Sequence, residues 1–355
     1  MATHLINVLV VEDSPVEREL LLHIFQSDPE IRVIAVATNG AQAVEAVCRE
    51  RPDVVTMDIH MPKLDGVEAT RQIMGRCPTP VVILSASSSY NPEGEKAFLA
   101  LEAGALSVVR KPSGVGHPGY AEEVQDLLQT IKLMSEVKVV RRWFRPATAP
   151  PAPAPLPKIE APSSVRLVAM GASAGGPMAL EHILQGLAGR VLPPLLVVQH
   201  MAPGFVEGFA AWLHASTGFP VRVAVHGEMA QPGHAYLAPD DHQMGIDASG
   251  RIVLSDAAPE GGLRPSVAHL FRSVAHAYGK QAVGVLLTGM GRDGAAELKE
   301  MKDRGAVTLV QDEASSMVYG MPGEAISLGG ATHVLPLEQI PAILAKLAGT
   351  KESVS

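Results

Sequence analysis

The sequence predicts an α/β protein built from two doubly wound domains, and three observations carry that reading. Short β-branched runs alternate with amphipathic helical patterns along most of the chain. A Pro/Ala stretch at residues 146–157, PATAPPAPAPLP, interrupts the alternation and reads as an extended, semi-rigid spacer. At 355 residues, 47% hydrophobic and 19% charged, the chain is long and apolar enough for two cores. The expected division is a domain at 1–140, a linker at 141–164 and a second domain at 165–350.

In the first half, INVLVVED, IRVIAVAT, DVVTMD, PVVILSAS and ALSVVRK read as strands buried on both faces of a five-stranded parallel sheet. PVERELLLHIF and AQAVEAVCRE read as helices between them. Polar residues then fall where such a sheet gathers its ligands, beyond the carboxyl ends of the strands. Glu12 and Asp13 follow the first strand, Asp58 ends the third, Ser85 ends the fourth, and Lys111 follows the fifth.

In the second half, RLVAM, LLVVQH, VGVLLTG and VTLVQ read as strands, with helices over 177–187, 266–278, 294–304 and 337–347. The segment AYLAPDDHQMGIDASGRIVLSD breaks the pattern and reads as a β-hairpin turned at Ala248-Ser249-Gly250. A mostly parallel sheet with an antiparallel edge is expected.

Composition narrows the function. Lys and Arg number 29 against 37 Asp and Glu, a net charge of −8, which disfavours binding to nucleic acid or anionic lipid. Two cysteines make no disulfide framework and fit a reducing compartment, with Cys48 expected in a helical core. No basic leader or 18-residue apolar run is present, so a cytoplasmic protein without membrane insertion is expected. The polar tail TKESVS is expected to be disordered.

The carboxylates of the first half repel one another unless a cation sits among them, and hard oxygen ligands suit Mg2+. Asp58 is then placed to attack a phosphoryl group whose oxygens Lys111 and Ser85 contact. On VVED, TMDIHMPKLDG, SA and KP, residues 5–135 resemble the receiver domain of two-component response regulators. The resemblance implies a flavodoxin-like fold, phosphotransfer to Asp58 from a histidine kinase, Mg2+ on Glu12, Asp13 and Asp58, and phosphate sensing by Ser85 and Lys111. One position departs: Val108 stands three residues before the lysine, where many receivers carry an aromatic residue.

In the second half, RLVAM-GASAGG-PMALEHILQGL is a strand, a glycine-bearing turn and a helix with Pro177 in its first turn. Ser173 at that helix start suits either a bound phosphate or a serine nucleophile, since Gly171 to Gly175 also satisfies G-x-S-x-G. A nucleophile needs a base and an orienting acid. His200, directly after LLVVQ, is the best-placed histidine; His4, His117 and His226 read as loop residues, and His269 and His276 as helical ones. Asp293 in the glycine-rich turn TGMGRDGA reads equally as an orienter or as a helix cap.

GASAGG, QHMAPGFVEGFA, YLAPDDH, LRPSVAHLF, TGMGRDGA and VYGMP together resemble the catalytic domain of chemotaxis protein-glutamate methylesterases over residues 165–349. The resemblance implies a Rossmann-like sheet, no cofactor in this domain, and methyl-accepting chemoreceptors as substrates. It casts Ser173 as nucleophile, His200 as base and Asp293 as its orienter. Backbone amides at Ala174 and Met290 are then expected around the oxyanion. Ala174, Ala202, Asp240 and Gln243 depart from the commonest form of these motifs. Three rivals stay open: an α/β-hydrolase using His333, a non-catalytic regulator that binds an anion at the GASAGG turn, and the same chemistry on receptors of a chemosensory array that controls something other than motility.

Overall fold

A computed structural model describes residues 5–86, 92–137, 139 and 165–349. The Pro/Ala stretch, the tail at 350–355 and His4 lie outside the described residues. The chain divides into two compact units, 1–149 and 150–355.

The first unit alternates β1 (Ile6–Val11), α1 (Pro15–Gln26), β2 (Ile31–Ala37), α2 (Gly40–Glu50), β3 (Val54–Asp58), α3 (Gly66–Arg76), β4 (Val81–Ser85), α4 (Pro92–Glu102), β5 (Ser107–Arg110) and α5 (Tyr120–Ser135). The sheet is wholly parallel in the order β2-β1-β3-β4-β5. β3 and β4 are buried at every position, which explains why they are apolar apart from Thr56 and the strand-end residues Asp58 and Ser85. Ser14, Asn39 and Asp65 cap α1, α2 and α3 through their side chains, each taking an N–H from three residues ahead. The order reverses direction between β1 and β3, so the crevice at that switch point lies beside Glu12, Asp13 and Asp58.

Cys48 corrects its expectation. It is half-buried near the end of α2 and disulfide-bonded to Cys77, just past α3, so two neighbouring helices are stapled at their carboxyl ends. Sequence patterning places Cys48 on a helix and assigns Cys77 to no element, and a pairing across 29 residues appears only when the helices pack.

The second unit continues with β6 (Leu167–Ala172), α6 (Gly176–Leu187), β7 (Leu195–Gln199), α7 (Val206–Thr217), β8 (Val221–Val223), β9 (Ala235–Leu237), β10 (Gln243–Ile246) and β11 (Ile252–Ser255). It closes with α8 (Val267–Tyr278), β12 (Ala282–Leu286), α9 (Ala295–Asp303), β13 (Val307–Gln311), α10 (Met321–Ser327), β14 (His333–Leu335) and α11 (Ile340–Leu347). Seven parallel strands run in the order β14-β13-β12-β6-β7-β9-β8. The switch point here lies between β6 and β12.

The antiparallel hairpin is present, but as its own two-stranded sheet of β10 and β11 rather than an edge of the main sheet. Its turn runs from Asp247 to Arg251, and the first residues of the expected hairpin, AYL, instead form β9 between β7 and β8. The chain turns away after β9 at Asp241, whose φ of 56° ends extended pairing. β10 is fully buried because it packs on α8, with Gly245 leaving room for Ser273.

Candidate functional site

At the mouth of the first sheet, a pocket of about 200 Å3 is lined by Glu12, Asp13, Glu17, Asp58, Ser85 and Lys111, among others. Lys111 Nζ lies 2.8 Å from Asp58 Oδ1 and 2.9 Å from Glu12 Oε2, and it also pairs with Glu17. Burial works against the ammonium, yet its contacts with Asp58, Glu17 and Glu12 outweigh it and hold Lys111 above the ordinary lysine value. Glu12 behaves differently. Burial, with the Asp58 charge added, pushes its carboxyl up to about 7 against the pull of Lys111.

Glu12 Oε2 is buried and, although close to the ammonium, not aligned for a hydrogen bond with it. Oxygens of Glu12, Asp13 and Asp58 lie within 4.8 Å of one another. Three hard ligands, one with an orphaned buried lone pair, fit a hard divalent cation. The structure thus brings together all five residues singled out from the sequence and adds Glu17, whose signal was its place in the first turn of α1.

In the second unit, the GASAGG turn is shaped by close packing. Gly175 takes φ 76° to start α6, and a Cβ there would also meet Met317 Cβ at 2.6 Å. A Cβ on Gly289 would stand 2.8 Å from Ser173 Cβ, so the loop bearing Met290 lies directly against Ser173. Thr288 stitches the turn: its carbonyl accepts the Ser173 N–H at 3.0 Å and its hydroxyl donates to Ala174 O at 2.9 Å. The N–H groups of Ala174 and Met290 make no hydrogen bond among the described residues.

His200 follows β7, its N–H donating to Ala172 O at 2.9 Å. Its Nε2 sits 2.9 Å from Asp293 Oδ2, with both side chains nearly buried. Asp293 is held from the other side by the start of α8: Val267 N–H donates to Oδ2 at 2.7 Å and Ala268 N–H to Oδ1 at 3.0 Å. The carboxylate therefore sits at the positive end of a helix dipole and orients an imidazole. Ser173 Oγ makes no hydrogen bond among the described residues; the turn and the His200 loop are joined by the His200 N–H to Ala172 O and by the Gln199 side-chain amide, which donates to the main-chain carbonyls of Ser173 and His200.

Further polar residues support this rim. Gln243 is wholly buried; its Oε1 accepts from Ser266 N–H at 2.9 Å and its Nε2 donates to Leu263 O at 3.1 Å, which fixes the start of α8. Asp240 accepts Gly204 N–H at 2.6 Å in the loop after His200. Thr288, Gln199, Val267 and Ala268 carry weight here that sequence patterning did not assign. The one available signal was a polar residue, Gln199 or Thr288, ending an apolar strand. His333, the histidine of the rival hydrolase reading, opens β14, three strands or about 14 Å across the sheet from β6.

A receiver-type acidic pocket in one unit and a serine turn beside a histidine–aspartate pair in the other match two family models. Residues 8–117 match the response regulator receiver domain and residues 168–344 match the CheB methylesterase. The fold and its sites define a response regulator whose second unit is a methylesterase. A relative from Syntrophus aciditrophicus (strain SB), protein-glutamate methylesterase/protein-glutamine glutaminase 1, is 53% identical across 98% of this chain and 99% of its own. One from Nitrosospira multiformis, with the same name without the numeral, is 54% identical across 98% of each chain. The Thermotoga maritima CheB methylesterase catalytic domain is 35% identical with a TM-score of 0.50, covering 52% of this chain and 99% of that one. The chain belongs to the protein-glutamate methylesterase/protein-glutamine glutaminase family, a family of hydrolases.

No helix among the described residues is long and apolar enough to cross a membrane.

Proposed function

We propose that the protein removes methyl groups from glutamate γ-methyl esters on chemoreceptor cytoplasmic domains, under control of phosphorylation at Asp58. The observation that carries the reading is the His200–Asp293 pair lying beside the Ser173 turn at the switch point of the second sheet.

In this account Ser173 Oγ attacks the ester carbonyl. Because His200 Nε2 faces Asp293, Nδ1 is the nitrogen left to take the serine proton and return it to departing methanol. Water then hydrolyses the acyl-enzyme by the same steps reversed. The N–H groups of Ala174 and Met290 hold the developing oxyanion, each contributing about 3 kcal/mol. Receptor glutamine is a substrate by the same acyl chemistry, with ammonia as the leaving group, as the names of the relatives indicate.

In the receiver, Asp58 accepts a phosphoryl group from the phosphohistidine of a chemotaxis kinase. Lys111 and Ser85 contact its oxygens. Glu12, Asp13 and Asp58 would hold Mg2+, which supplies charge neutralisation for the phosphoryl oxygens. The unphosphorylated receiver restrains the esterase, and phosphorylation relieves it; a tenfold change needs about 1.4 kcal/mol of differential stability.

Methanol release from methylated chemoreceptor tests the chemistry. The expected result is release by the wild type, near-abolition in Ser173→Ala and His200→Ala, and no change in His333→Ala. Turnover that survives Ser173→Ala contradicts the reading. Tight anion binding at the GASAGG turn without turnover by any variant would favour the non-catalytic regulator.

A further inference from the structure

Gln199 is the last residue of β7 and is 8% exposed. Its amide nitrogen donates two hydrogen bonds, to the main-chain carbonyl of Ser173 at 2.8 Å and to that of His200 at 2.7 Å. Both partners are acceptors only, so the atom facing them must carry the N–H groups. Its Oε1 is buried without a partner. An orphaned buried amide oxygen is destabilising, a cost that an apolar side chain of the same size would not incur. The amide is thus explained by what its nitrogen holds, not by packing.

The place of those bonds is informative. The ladder between β6 and β7 runs out at Ala172 opposite Gln199, with His200 N–H to Ala172 O as its final main-chain bond. Beyond it the two chains part, one into the serine turn and the other into the histidine loop. The Gln199 side chain adds one more rung where the backbones no longer reach each other. Nothing larger than hydrogen fits beside it, since a Cβ on Gly176 would lie 2.0 Å from Oε1.

A second consequence follows from the planarity of the peptide bond. The carbonyl of Ser173 and the N–H of Ala174 belong to one rigid unit and, in the trans form, point in opposite directions. Gly176 N–H at 2.8 Å and Gln199 Nε2 both bind the Ser173 carbonyl. Fixing that oxygen fixes the aim of the Ala174 N–H on the opposite side.

We propose that Gln199 is a positioning residue for ester hydrolysis: its amide nitrogen clamps the serine turn to the histidine loop and aims the Ala174 N–H at the oxyanion. The inference rests on the Ser173 reading given above. The effect belongs to the transition state, because the oxyanion and the transferred proton exist only there. Loss of the clamp therefore lowers kcat and leaves KM nearly unchanged.

The test is steady-state demethylation of methylated chemoreceptor by the full-length chain, with Gln199→Met, Gln199→Glu and Ser173→Ala in parallel and thermal unfolding recorded for each. Methionine keeps the length and volume and removes both donors, while glutamate keeps the planar shape. The expected result is a fall in kcat of about 10- to 100-fold with KM within about threefold, in variants that remain folded. If Gln199→Met does not fold, Gln199→Glu carries the same comparison. Wild-type kcat in a folded variant, or a loss borne by KM, overturns the assignment of Gln199 while leaving Ser173 in place. Turnover surviving Ser173→Ala overturns both.

Discussion

The two sites sit at the same place in two similar sheets, yet they are built on opposite principles. The receiver pocket gathers charge. Glu12 and Asp58 are buried against one ammonium, Glu12 Oε2 lacks a hydrogen bond, and burial pushes the Glu12 carboxyl up to about 7. The serine site gathers neutral donors and acceptors, and its one carboxylate, Asp293, is held by the His200 ring and by two N–H groups of α8. An unbalanced site calls for a ligand to settle it. The serine site instead keeps its carboxylate hydrogen-bonded and leaves the Ser173 hydroxyl and the Ala174 and Met290 N–H groups without a hydrogen bond among the described residues, open to a reaction whose charge appears only in the transition state.

That contrast can be broken most sharply at the serine. Ser173→Ala should lower demethylation at least a thousandfold, and Asp293→Asn somewhat less, with the receptor still bound; a pull-down alongside the methanol assay checks both. Replacing the receiver's disulfide should act on stability alone. Cys48→Ser opens a loop of 29 residues and should destabilise the receiver by about 3 kcal/mol. The transition of the second unit should not move, as differential scanning calorimetry would show.

A smaller effect separates signal from chemistry. Asp58→Asn should retain basal demethylation but lose the response to a small phosphodonor, worth about 1.4 kcal/mol if activation is tenfold. The smallest concerns the cation. A Glu12 that titrates near 7 must give up its proton to become a metal ligand. Protons therefore compete with Mg2+, and affinity should rise between about pH 6 and pH 8, measurable by calorimetric titration of the wild type. Affinity that is flat over that range would place Glu12 outside the metal shell.

Legibility in the sequence followed the physical range of each interaction. Strands such as VVILS and LLVVQ announce themselves because burial on both faces keeps every position before the strand end apolar, and Pro177 and Ser266 mark helix starts locally. β8, with three residues in contact with solvent, and the seven-residue α10 have too little pattern to register. The carboxylates were readable because a parallel sheet sends every strand end to one rim. The supports were not: Gln199, Thr288 and Gln243 act by binding main-chain atoms 23 to 114 residues away as well as near ones. Such bonds have no period and depend on which backbones the fold brings together. Gln243 read as a departure from a motif until its partner Ser266 came into view, and Cys48 read as core until Cys77 did.

The central claim is that a phosphorylated Asp58 governs a Ser173 esterase in the same chain. Its most direct test is methanol release from methylated chemoreceptor by the wild type, Ser173→Ala and Asp58→Asn, each with and without Mg2+ and a small phosphodonor. The account predicts Ser173-dependent release that the phosphodonor stimulates only when Asp58 is intact. Equal stimulation of Asp58→Asn, or release without Ser173, would contradict it.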